Sequence, residues 1–73
     1  MPAISRHRKV LGNAIRERRK QAKLSQEKLA ELADLHPNYI GEVERGEKTI
    51  SVDALVRLAK ALEVRLSDLV AEI

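Results

Sequence analysis

Apolar residues recur three or four positions apart along almost the whole chain, and no run alternates apolar and polar residues long enough to build a strand. That periodicity limits the chain to an all-α fold. The helices cannot be stapled together, because the 73 residues contain no cysteine, and His7 and His36 alone cannot make the usual Cys/His zinc site. Packing therefore has to hold a domain whose single core supplies only ~3–5 kcal/mol at this size. The only aromatic is Tyr39, so the core must be built from Leu, Ile, Val and Ala.

The periodic stretches fall into five segments. Leu11, Ala14, Ile15 and Ala22 mark a first amphipathic helix from about Arg8 to Ala22, locally weakened by Gly12. Ser25 is a good N-cap for a second helix running from Gln26 to about Ala33, with Glu27 in its first turn and Leu29, Leu32 and Ala33 expected inward. Pro37 pushes His36 out of helical geometry and suits the first position of a third helix, which carries Ile40 and Val43 and stops at Gly46. Ser51 caps a fourth helix with Leu55, Leu58, Ala59 and Leu62. A fifth segment holds Leu66, Leu69, Val70 and Ile73.

Charge is divided unevenly along the chain. Residues 1–24 carry eight Lys and Arg against Glu17 alone, a net of +7, whereas residues 25–73 carry six basic and ten acidic side chains, a net of −4. A basic face on an acidic body is a footprint for a polyanion such as nucleic acid, although a solvated basic helix face gives the same count. The apolar runs are too short to span a membrane and the N-terminus shows no signal-type apolar region, so a soluble cytoplasmic protein is expected, without a membrane partner. No catalytic spacing stands out. A cysteine nucleophile, a phosphate-cradling glycine loop and an HExxH pair are all missing, so neither an enzyme nor a cofactor is expected.

The most informative stretch is Gln26 to Arg45. Two short helices are joined there by about three residues, and Leu29, Ala33, Leu35, Ile40 and Val43, with small Ala30 at the close approach, hold them at the steep angle of a helix-turn-helix. With Leu24-Ser25-Gln26, Tyr39-Ile40, Glu44-Arg45-Gly46, Ala59-Lys60-Ala61-Leu62 and Asp68-Leu69, the stretch resembles the Cro and phage-repressor (XRE-like) family of bacterial DNA-binding regulators, from about Leu11 to Val70. The Tyr-Ile-Gly segment, Glu-Arg-Gly with Lys48 two positions on, and Ile50-Ser51-Val52 are also similar to the small controller proteins of restriction-modification systems. One position departs from the family: Asp34 stands where the turn usually has Gly, which implies a slightly strained turn.

The resemblance implies a five-helix, lambda-repressor-like domain over residues 1–73, with its helix-turn-helix at about 26–45 and a dimerisation region at about 64–73. It also implies a sequence-specific transcription regulator, repressor or activator, that binds a palindromic operator on double-stranded DNA as a homodimer. A helix entering the major groove reads base edges through its N-terminal residues, here His36, Pro37, Asn38 and, one turn on, Glu42. For His36 the alternative is local turn duty, and for Glu42 a neighbouring arginine. Gln26, Tyr39, Arg45 and Lys48 are the expected phosphate contacts, with half-buried packing the alternative for Tyr39. Arg19 and Glu44 correspond to an ion pair tying the first helix to the end of the third. Val64, Leu66, Leu69, Val70 and Ile73 are the expected dimer interface. Glu27 and Glu31 lie one turn apart where some relatives touch RNA polymerase, making the polymerase a candidate partner; a solvated acidic face is the alternative. The second function class is a protein-interaction module such as an antitoxin, which usually needs a partner-binding extension that 73 residues hardly accommodate.

Overall fold

The computed structural model describes residues 6–73; the first five positions of the expected 1–73 domain, which begin the N-terminal stretch expected to lack a signal-type apolar region, lie outside the described residues. Five helices follow in order: α1 (Arg6–Gln21), α2 (Gln26–Ala33), α3 (Pro37–Glu44), α4 (Val52–Leu62) and α5 (Leu66–Val70). Among the described residues there is no strand, and no helix is long and apolar enough to cross a membrane.

Local chemistry fixes where the helices start. Ser25 Oγ accepts the Lys28 N–H at 3.0 Å, and Ser51 Oγ accepts the Ala54 N–H at the same distance. Each such cap contributes about 0.5–2 kcal/mol by satisfying a donor that the first turn leaves open. At α3 the cap is an imidazole: His36 Nδ1 accepts the Asn38 N–H at 3.1 Å, with Pro37 at the first helical position. Asp68 turns back to accept the Arg65 N–H and closes the start of α5.

Helix ends show one device used repeatedly. Asp34 takes the left-handed conformation at φ 58° and ψ 49°, as its place in the turn demands, and Lys23 and Glu63 do the same at φ 60° and 58°. In each case the following N–H reaches back to a carbonyl five residues earlier: Leu24 to Arg19, Leu35 to Ala30, Val64 to Ala59. The carbonyls so satisfied offset the left-handed penalty of about 1–2 kcal/mol per non-glycine residue.

One residue from each helix is fully buried: Ile15, Leu29, Ile40, Leu58 and Leu69 form the centre of the core. α2 packs on both α3 and α4, while α1 crosses α3 and is flanked by α4 and α5. Two expectations need correction. Leu32 faces solvent, because the inward stripe of α2 runs through Leu29, Ala30 and Ala33. Leu69 is buried inside the protomer and is therefore unavailable to a second copy, and Val64 is half-buried against the same core. Leu66, Val70 and Ile73 remain 39%, 36% and 56% exposed.

Gly12, expected only to loosen α1, sits directly against the backbone at the end of α3. A Cβ there would overlap the Val43 carbonyl oxygen and stand 2.8 Å from the Glu44 carbonyl oxygen. These are backbone atoms at the end of α3, so the bare glycine sets how deeply α1 seats.

Candidate nucleic-acid interface

The core fixes α2 and α3 at their buried faces and leaves the start of α2 and the outer face of α3 projecting together. Between them lies an open slot of about 320 Å3, lined by Gln26, Pro37, Asn38, Gly41, Glu42 and Arg45. Five of the residues expected to touch DNA are thus brought around one depression. Gly41 was not among the expected contacts, yet its missing side chain leaves the depression open. A Cβ at Gly41 would meet only the ends of flexible side chains, Arg45 Nη1 at 3.2 Å and Gln26 Oε1 at 3.5 Å.

Below the slot the site is anchored by Glu44. Arg19 donates to it through two nitrogens, Nε to Oε2 at 2.7 Å and Nη2 to Oε1 at 3.1 Å, while Gln26 Nε2 donates to Oε1 at 3.0 Å. The third Arg19 nitrogen, Nη1, donates to the Leu24 carbonyl at 2.9 Å, which pins the connection between α1 and α2. The Glu44 side chain is only 2% exposed and that of Arg19 11%, so the pair is sheltered from water. The hydrogen bond to Glu44 holds the Arg19 guanidinium above its ordinary pKa, against an opposing contribution from burial. Gln26 is therefore oriented by the same carboxylate that joins α1 to α3, with its remaining amide hydrogen left to donate outward.

The other expected contacts are arranged around this centre. Because His36 Nδ1 accepts a backbone N–H, the neutral ring carries its proton on Nε2 and turns a donor toward solvent. The turn role and an outward donor coexist in one side chain. Asn38 is exposed, and Glu42 is half-exposed and attracts Arg45 through space. Tyr39 leans on the core and its hydroxyl donates to the Thr49 carbonyl at 3.5 Å, away from the slot. Lys48 is exposed in the loop after α3. Arg45 is held by Glu47 through Nε at 2.9 Å and Nη2 at 3.1 Å, leaving Nη1 toward Gly41. Those bonds raise the Arg45 pKa and lower that of the Glu47 carboxyl. Glu47 therefore favours the folded loop above the ordinary carboxylate range, and that small, solvent-screened contribution fades as pH falls through its depressed value. On α2, Lys28 Nζ donates to Glu31 at 3.0 Å in an exposed pair. Among the described residues no cluster of His, Asp and Glu could hold a metal ion.

The helix-turn-helix (HTH_3) family model matches residues 15–69. The control protein C.SmaI of Serratia marcescens is 42% identical over 62 residues, 85% of this chain and 74% of that protein. The control protein C.BamHI of Bacillus amyloliquefaciens is 41% identical over 63 residues, 85% of this chain and 78% of that one. Among solved structures, the restriction-modification controller protein C.AhdI from Aeromonas hydrophila superposes with a TM-score of 0.84 at 39% identity, covering 85% of this chain and 94% of that chain.

Proposed function

Since the chain belongs to the XRE-like helix-turn-helix family of DNA-binding transcription regulators, we propose that it binds a palindromic operator as a homodimer and acts as a restriction-modification controller. The observation that carries this reading is the slot between α2 and α3, where Gln26, Asn38 and Arg45 converge on a surface that the protomer leaves uncovered. Asn38 presents the donor and acceptor needed to bond an adenine edge, and Pro37 presents an apolar surface suited to a thymine methyl. Gln26 stands at the positive end of the α2 dipole, where a phosphate oxygen is favoured. Arg45 and Lys48 supply charge at the end of α3 and in the loop that follows it. The relatives that match are control proteins and transcription regulators rather than enzymes.

Electrostatics gives the test of these roles. Replacing Arg45 or Lys48 by Ala is expected to weaken binding to all duplexes alike and to flatten the dependence of log affinity on log salt by about one unit each. Replacing Asn38 by Ala is expected to relax sequence preference at one position while leaving the salt slope unchanged. Fluorescence anisotropy on a salt series separates the two outcomes, and an Arg45→Ala slope equal to that of the parent chain contradicts the phosphate role.

The dimer rests on two supports. A single short recognition helix reads too few base pairs to find one operator in a genome, and a two-fold pair reads twice as many. Leu66, Val70 and Ile73 form an exposed apolar set on and just after α5, beside an open groove that Ile50 and Leu55 help to line. Light scattering at micromolar concentration is expected to give twice 8.2 kDa, and Leu66→Lys combined with Ile73→Lys to give the monomer mass with the fold intact. A parent chain already monomeric under those conditions overturns the dimer.

A further inference from the structure

Beside the slot, and continuous with it through Gln26 and Arg45, runs a larger open groove of about 850 Å3 between α1 and the end of α3. Its α1 wall is formed by Lys9, Asn13 and Arg16, spaced by four and three residues and therefore stacked on one helix face. Among the described residues neither Lys9 nor Arg16 has an ion-pair partner. The two acids of the groove are already engaged, Glu44 by Arg19 and Gln26, and Glu47 by Arg45. The cations on the α1 wall thus face an open groove with no local carboxylate left to neutralise them.

We infer that Lys9, Asn13 and Arg16 form a second phosphate-binding wall that grips the DNA backbone beyond the end of the recognition helix. From Lys9 to Arg16 is seven steps along the chain, about 10 Å along the helix axis, long enough for the two cations to meet different phosphates of one strand. The groove receives the strand that has just passed Gln26 and the start of α2, so a single strand runs from the slot onto α1. Neither Lys9 nor Arg16 supports the core, so their loss affects binding without affecting folding. The inference rests on the DNA-binding reading and adds contacts outside the helix-turn-helix itself.

The test uses the full chain and a mixed-sequence duplex long enough to span two half-sites, measured across a salt series. Lys9→Ala and Arg16→Ala are each expected to lower affinity by roughly three- to tenfold and to flatten the salt slope by about one unit, with an unchanged melting temperature. Asn13→Ala, a neutral donor, is expected to lower affinity with the slope preserved. Lys60→Ala, at an exposed position of α4, controls for net charge alone and is expected to leave the slope as it was. Unchanged slopes in Lys9→Ala and Arg16→Ala, or an equal change in Lys60→Ala, overturn the second wall while leaving the DNA-binding reading in place. A parent chain that binds no duplex at any salt overturns both.

Discussion

Glu44→Ala is expected to abolish the cooperative unfolding transition at room temperature. Removing the carboxylate strands Arg19 with its charge sheltered from water and leaves Gln26 Nε2 without its acceptor. Breaking one side of such a buried pair costs about 3–5 kcal/mol. A core of this size supplies about as much in total, so the loss is comparable to the whole stability. Glu44→Gln is the informative companion, because it keeps the volume and one acceptor oxygen but loses the charge, and is expected to melt between the parent chain and Glu44→Ala. Circular dichroism thermal scans check both. A Glu44→Ala chain melting with the parent would show that the pair is not structural.

Gly12→Ala is expected to be nearly as severe, through a different cause. Alanine normally favours a helix over glycine by about 1 kcal/mol, so on propensity alone the substitution ought to stabilise α1. Here the added methyl collides with two backbone carbonyls at the end of α3, and backbone cannot swing aside as a side chain can. α1 has to lift away from α3, which opens the Leu11 and Ile15 packing and pulls Arg19 from Glu44. The expected result is a loss of several degrees at least, since 1 kcal/mol moves the midpoint of so small a domain by about 4–8 °C. Overpacking of this kind costs about 1–3 kcal/mol before the ion pair is counted. Gly41→Ala makes the contrast, because only flexible side-chain ends lie near its Cβ position and no comparable destabilisation is expected. A raised melting temperature in Gly12→Ala would contradict the close approach of α1 and α3.

These two positions also mark how far the sequence can be read. Helix starts were legible because their causes are local: Ser25, Ser51 and the His36-Pro37 step each act within three residues. The helix-turn-helix was legible for a related reason, since its apolar spacing and its short connection both lie within twenty residues. Gly12 was not, because its partners Val43 and Glu44 are some thirty positions away, and a glycine in a helix reads simply as a weak spot. Leu32 faces solvent against the periodicity because positions 29, 32 and 33 fit a helical face about as well as 29, 30 and 33 do. At about 100° per residue, only contact with α3 and α4 decides which stripe is buried. Leu69 shows the same limit at the end of the chain, where periodicity marks a residue as apolar without saying which surface covers it. The alignment of Lys9, Asn13 and Arg16 was present in their spacing, but their position beside Gln26 depends on how α1 crosses α3.

The outer face of α2 and α3 is expected to read a particular DNA sequence in two symmetric copies. The decisive measurement is to select bound duplexes from a random library at near-physiological salt, with nonspecific competitor present, and to sequence the survivors. An enriched palindrome with half-site centres about one helical turn apart, around 34–36 Å, is the expected result. Asn38→Ala is expected to relax one position of each half-site. A folded chain that enriches no sequence, with binding that varies only with salt, would contradict sequence-specific regulation.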